Sequence, residues 1–264
     1  MSRIRIGTAG WSIPKQCANE FPEIGTHLAR YSQILSCAEI NSSFYRSHRL
    51  STWEKWADSV PEAFRFCVKA PKAITHEVNL VCGPEPLKTF LAEAKILATR
   101  LGPILFQLPP KAVFNPTVAE TFFTLLRDLH PGPVVLEPRH PTWFTEEADR
   151  LLQKFHIARV AADPSRISAA ATAGGWNRLL YCRLHGSPRV YYSAYPETYL
   201  QALAATIAQH PAKEIWCVFD NTASGAALGN AQTLRRLVKH KTTSEPSTTS
   251  RSAPYQSLPA RAAS

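Results

Sequence analysis

At 264 residues and 45% hydrophobic, the chain holds enough apolar material for one large core, and α/β barrels of this length are commonly a single domain. No run of about 18 apolar residues occurs, which excludes a membrane-spanning helix, and Met1 to Gly7 leads into strand-like sequence without an apolar leader, so a cytoplasmic location and no membrane partner are expected. The formal charge of +10 attracts anions without choosing among them; no Lys/Arg-rich run, RNA-binding aromatic signature or zinc-finger spacing is present, so nucleic acid stands behind a small anionic ligand as the expected partner.

Taken in order, Arg3-Ile4-Arg5-Ile6 alternates and stops at Gly7-Thr8-Ala9-Gly10-Trp11, a first strand running into a small-residue loop. A helix is predicted from about Gly25 to Ser36, and Cys37 to Asn41 reads as the second strand. Ser51-Thr52-Trp53-Glu54 has the form of a capping box opening a short helix. Arg65 to Lys69 is the third strand, closed by a lysine, and the next helix spans about Glu85 to Arg100. Strand four, Ile104 to Leu108, is halted by Pro109-Pro110, and Asn115-Pro116 supplies a cap and a first-turn proline for the helix after it.

The apolar run Val134 to Leu136 ends in Glu137-Pro138-Arg139-His140-Pro141-Thr142-Trp143, so a fifth buried strand delivers polar groups to a mouth. Thr145 then caps a helix with Glu146 and Glu147 in its first turn. Ile157 to Asp163 is strand six, followed by a small-residue loop through Gly174-Gly175. Leu179 to His185 is strand seven, with a helix from about Pro196 to Gln209, and Glu214 to Asn221 is strand eight, with a closing helix from Gly225 to Val238. The Ser, Thr, Pro and Ala-rich segment 241–264 has too few large apolar residues to offset its ordering entropy and is expected to be a disordered tail.

Eight strand-then-helix units predict an α/β fold of one domain, a (β/α)8 TIM barrel over residues 1–240. The runner-up is an open doubly wound sheet, but no GxGxxG follows any strand. The six cysteines form no CxxC pair, and Cys37, Cys67, Cys182 and Cys217 fall inside predicted strands, so they read as reduced core residues.

In a barrel the active mouth lies at the carboxyl ends of the strands, which is where this sequence puts Glu39, Asn41, Tyr45, Lys69, His76, Gln107, Glu137, Arg139, His140, Asp163, Arg183, His185, Asp220 and Asn221. Glu39/Asn41, Glu137/Arg139 and Arg183/His185 are each two residues apart, so each pair points to one side of the sheet. Rim solvation is the bland reading of any one such residue; eight strands ending this way favour a site. A retaining glycosidase needs two carboxyls about 5 Å apart, but Lys69, Arg139 and Arg183 would keep these acids ionised. Lys69 could form a Schiff base if desolvated, but adjacent carboxylates make a charged ion-pairing lysine its expected role. No HxH or HExxH spacing marks a metal site, and no residue is assigned to a metal or a cofactor.

Together, Ile6 to Trp11, Glu39 to Arg46, Phe66 to Pro71 with Thr75-His76, Glu137 to Trp143, Arg183 to Gly186, Tyr192 to Tyr195, and Phe219-Asp220-Asn221 with Gly225-Ala226 and Asn230-Ala231 resemble the YecE-like family, classed as domain of unknown function 72. The resemblance covers about residues 3 to 238 and implies a TIM barrel with its mouth carried by Glu39, Asn41, Tyr45, Lys69, His76, Glu137, Arg139, His140, Arg183 and His185; it implies no established reaction. Pro138 and Asp220 depart from the family pattern, which usually has an aromatic and often an asparagine there.

The expected function is binding and transformation of a small phosphate- or carboxylate-bearing substrate. Arg139 and Arg183 would clamp it, Glu137 or Glu39 would act as base, and His185 or His76 would move protons. Trp11, Tyr45 and Trp143 would form walls, with Asn41, Lys69, His140, Asp220 and Asn221 lining the site. The alternatives are a non-catalytic ligand-binding or nucleic-acid-associated barrel, and a metal-dependent phosphoester hydrolase; the oligomeric state is left open.

Overall fold

The computed structural model describes residues 2–243, Leu258 and Pro259. Within them, β1 (Arg3–Ala9), β2 (Cys37–Ile40), β3 (Arg65–Lys69), β4 (Leu101–Gln107) and β5 (Val134–Glu137) pair in parallel in that order. On the other side of β1 lie β10 (Glu214–Phe219) and then β9 (Leu179–Leu184), also parallel. The ring is completed by one stretch of chain. Its first half, β6 (Ile157–Arg159), pairs with β5, and after Val160 its second half, β7 (Ala161–Asp163), pairs with β9. The predicted sixth strand is therefore shared between two neighbours, and the barrel is the (β/α)8 architecture read from the sequence.

The outer layer comprises α1 (His27–Ser32), α2 (Leu50–Asp58), α3 (Pro84–Lys95), α4 (Pro116–Leu129), α5 (Glu146–Lys154), α6 (Glu197–Gln209) and α7 (Ala226–Thr243). Asn115 caps α4 by accepting from the Val118 amide at 3.1 Å, and Thr145 caps α5 by accepting from Ala148 at 3.3 Å, which satisfies amides that have no intrahelical partner. The predicted capping box at Ser51 does not form. Helix α2 starts at Leu50 with Arg49 at its N-cap and no side-chain cap, two residues earlier than the box would place it, with Trp53 and Ala57 buried.

The sixth unit departs from the prediction of eight helices. Between β7 and β9 the described chain forms a 3-10 turn (Ser168–Ala171) and the two-residue β8 (Gly174–Gly175), antiparallel to β6. Arg159 holds this segment in place of a helix, donating to the carbonyls of Ala169 and Thr172 at 3.3 Å each while pairing with Asp149 at 3.1 Å. The tail expectation for 241–264 lies mostly outside the described residues. Within them, α7 runs on to Thr243, and Leu258 is buried with its amide donating to the Ala171 carbonyl at 2.9 Å. No helix of the described residues is long and apolar enough to cross a membrane.

Two apolar layers follow from period-two alternation. One face of the strands packs against the helices in a cluster reaching from Ile6 to Val238. The other face fills the barrel with Cys37, Cys67, Leu105, Val135, Ala158, Leu179, Tyr181, Trp216 and Val218. Gly102 makes room for that filling, since a Cβ there would lie 2.6 Å from the Trp216 ring. All six cysteines are free thiols.

Candidate functional site

The same inward rows that fill the barrel continue upward into charge. Two residues past Cys37 comes Glu39, past Val135 comes Glu137, past Tyr181 comes Arg183, and past Val218 comes Asp220. The apolar plug therefore carries an ionic layer on its upper face.

Arg183, 1% exposed, is the hub of that layer. Its Nε and Nη2 donate to the two oxygens of Glu39 at 3.1 and 2.6 Å, Nη1 donates to Glu137 Oε2 at 2.6 Å, and Nη2 also donates to Asp220 Oδ2 at 3.0 Å. Tyr181 donates its hydroxyl to Glu39 Oε2 at 2.8 Å. Arg139 closes over the other side of Glu137, with Nε and Nη2 both within 3.1 Å of Oε1. His185 sits between two carboxylates, its Nδ1 3.0 Å from Asp220 Oδ2 and its Nε2 3.5 Å from Glu137 Oε1.

Burial alone would raise the carboxyl pKa values, yet Arg183 and Arg139 hold Glu137 well below the usual carboxylate range, and Arg183 with His185 lowers Asp220. Burial works against the His185 imidazolium, but its two carboxylate neighbours outweigh that and raise its pKa. Burial and the Arg183 charge pull Lys69 down to about 8, with the acids pushing back. Burial and the positive charge of Lys69 and Arg139 lower His76.

A cavity of about 420 Å3 opens above this layer. Glu137, Arg139 and His185 line it together with Arg166, Val190 and Tyr191, and the edge of the Tyr191 ring faces His185 at 5.8 Å between centroids. Arg139 retains 32% side-chain exposure, so its guanidinium reaches both the buried carboxylate and the open space.

Of the residues singled out from the sequence, Glu39, Glu137, Arg183, His185 and Asp220 converge in one network, with Arg139 at its edge. The geometry shows what each of them touches. Arg183 is enclosed by three carboxylates, and Glu39 has both oxygens engaged by Arg183, one of them also accepting from Tyr181. Trp143 is core: it is buried against Phe114 and donates its indole N–H to the Ala112 carbonyl at 2.9 Å. Trp11 turns outward onto Trp56 of α2, and Asn221 ties the Ser193 carbonyl to Asn230. Tyr45, 72% exposed, lines a separate groove with Arg46 and Lys72, and His140 bonds Thr142 at 2.9 Å. Half-buried Asn41 keeps its Oδ1 without a hydrogen bond. Tyr181 was missed, although it stands in the same alternating row as Arg183 and His185; Arg166, Val190 and Tyr191 lie in loops that carry no such signal.

Among the described residues no three His, Cys, Asp or Glu side chains are gathered for a metal ion. The three carboxylates are turned onto guanidinium groups instead.

The sequence matches the family described as "Protein of unknown function DUF72" over residues 5–254. The chain belongs to the DUF72 family. It is 31% identical over 175 residues to the UPF0759 protein YecE of Escherichia coli, a match covering 63% of this chain and 61% of YecE. It is 26% identical over 153 residues to the UPF0759 protein YunF of Bacillus subtilis, covering 54% of this chain and 52% of YunF. The matches thus span less than two thirds of these relatives. A crystal structure of a DUF72 family protein from Enterococcus faecalis superposes with a TM-score of 0.75 at 18% identity, covering 99% of this chain and 100% of that one. One from Thermotoga maritima gives 0.74 at 23% identity, covering 90% and 99%. At such identities the likeness concerns the fold of this DUF72 barrel alone.

Proposed function

We propose that this barrel binds a small anionic substrate in the cavity above the ionic layer and transfers a proton to it from His185. The observation that carries the reading is the position of His185, gripped by Asp220 and Glu137 on the floor of a cavity whose edge bears Arg139 and Arg166. Two flanking carboxylates favour the imidazolium over the neutral ring, and the imidazolium is the state a general acid needs. Three acids (Glu39, Glu137, Asp220) face two permanently charged guanidiniums (Arg183, Arg139), so the layer is one positive charge short. His185 and Lys69 are the groups whose protons fill that deficit. Arg139 supplies a planar fork for a carboxylate or phosphate, half of it already fixed by Glu137.

The test is thermal unfolding of the full chain with inorganic phosphate and with small mono- and dicarboxylates. A ligand at about 100 times its Kd adds about 2.7 kcal/mol and raises the midpoint by a few degrees. The expected result is a shift for at least one anion that Arg139→Ala reduces at least ~10-fold in Kd, as the loss of one bidentate charged contact requires. A panel with no shift, or an Arg139→Ala protein that binds as tightly, overturns the reading.

A further inference from the structure

Lys69 closes β3, where the charges of Arg183, Glu39, Glu137 and Asp220 all act on its amine. Among the described residues its Nζ makes no hydrogen bond and no ion pair; the contact that places it is the Phe44 ring, 4.2 Å away at the centroid. Phe44 is in turn braced edge-on by Tyr45 and His76, each at 4.9 Å between centroids. The Lys69 carbonyl accepts from Ser43 Oγ at 2.7 Å, which fixes the strand end from which the side chain rises. A lysine in a carboxylate-rich mouth ordinarily pairs with a carboxylate. Here the guanidiniums of Arg183 and Arg139 hold those carboxylates, and the amine is left half-buried beside them.

We propose that Lys69 is an imine-forming amine that takes the carbonyl carbon of a small anionic aldehyde or ketone bound in the mouth. The inference rests on the anion-binding reading for the substrate's charge, and on Lys69 itself for the chemistry. Nζ in its neutral form attacks the carbonyl carbon, a C–N bond forms, and the carbonyl oxygen takes up a proton. Two protons leave with that oxygen as one water molecule and the nitrogen sheds its two hydrogens in exchange, one returning to the acid that protonated the oxygen, so C=N remains with no oxidant or reductant consumed. Removal from water and the nearby Arg183 charge make the neutral amine accessible near neutral pH. The imidazolium form of His185, which faces the same Glu137 and Asp220 charges as Lys69, is the proton source for the departing oxygen. Lys72, three residues on, provides the contrast: half-exposed and paired with Glu77 at 3.2 Å, it has the environment of an ordinary surface ammonium.

The experiment is reductive trapping on the full chain, using glyoxylate as the anionic carbonyl and acetaldehyde as the neutral one, each with cyanoborohydride, followed by peptide mapping of every modified lysine. With Lys72 in the same molecule as reference, the expected outcome is that glyoxylate modifies Lys69 roughly tenfold or more faster than Lys72, as a desolvated amine should react. That ratio should drop toward the acetaldehyde value in Arg139→Ala. If Lys69 is modified no faster than Lys72 by either aldehyde, the imine proposal is overturned, whatever the thermal-shift panel shows for anions. If both aldehydes modify Lys69 with the same advantage over Lys72, the anionic substrate class is overturned. The wild-type map does not depend on any variant folding.

Discussion

Arg183 illustrates how one side chain can be both indispensable and unavailable. Its guanidinium is enclosed with three carboxylates, and removing it would leave them facing one another with Arg139 alone to offset them. Breaking a buried ion cluster from its central member costs about 3–5 kcal/mol, so Arg183→Met should lose that much in urea denaturation. Arg183→Lys should recover little, because one ammonium cannot span the bidentate Glu39 contact and still reach Glu137 and Asp220.

The pH dependence follows from the same layer. Glu137 and Asp220 have depressed folded values, so their contribution is present above the ordinary carboxyl pKa of about 4 and is lost as pH falls through the depressed folded values. His185 has a raised value; its contribution is full below about 6.5 and is lost as pH rises through the folded value. Denaturation midpoints measured across pH should therefore form a plateau with an acid limb and a neutral-to-alkaline limb. Glu137→Gln should flatten the acid limb, and an acid limb unchanged in that variant would remove Glu137 from the account.

At the scale of elements, local sequence signals succeed where the deciding contact is local. Asn115-Pro116 and Thr145-Glu146-Glu147 start helices because the cap and the amide it satisfies lie three residues apart. Asn115→Ala should cost about 1 kcal/mol, read as a lower thermal midpoint. The sixth unit carries the small-residue loop read from the sequence, and the helix that eight repeating units would add is absent for the opposite reason. What replaces its helix is Arg159, reaching from β6 to the Ala169 and Thr172 carbonyls, and a strand pairing made by Gly175. Gly175 adopts φ +64, and a Cβ there would lie 2.4 Å from the Ile157 carbonyl oxygen, a rigid backbone atom. Gly175→Ala should destabilise the protein by about 1–3 kcal/mol and raise amide exchange at Trp176, whose N–H donates to the Ile157 carbonyl. Protection at Trp176 equal to wild type would show that β8 tolerates the methyl group.

For the whole molecule, the charge of +10 acts on any anion approaching the mouth. Screening shortens that field to about 10 Å at 0.1 M salt, so the Kd of the anion that stabilises the barrel should rise with sodium chloride. A Kd flat across that range would confine binding to contacts inside the cavity. The architecture itself was legible from the primary structure, because strand rows filling a barrel alternate with period two and each row ends in polar residues at the same end. Cys37 to Glu39, Val135 to Glu137 and Val218 to Asp220 show both the plug and the layer above it.

Sequence by itself determined the barrel, the end that carries the charges, and most members of the ionic layer, since these depend on alternation along single strands. Tertiary structure alone decided which charges are free. Arg183 meets Glu39 across 144 residues and Glu137 across 46, and those pairings enclose its guanidinium among carboxylates. They also leave Lys69, the residue expected to pair, without a carboxylate hydrogen bond or ion pair among the described residues. Electrostatic satisfaction is a property of neighbours in space, and in a closed barrel the neighbours at the mouth come from strands far apart in the chain.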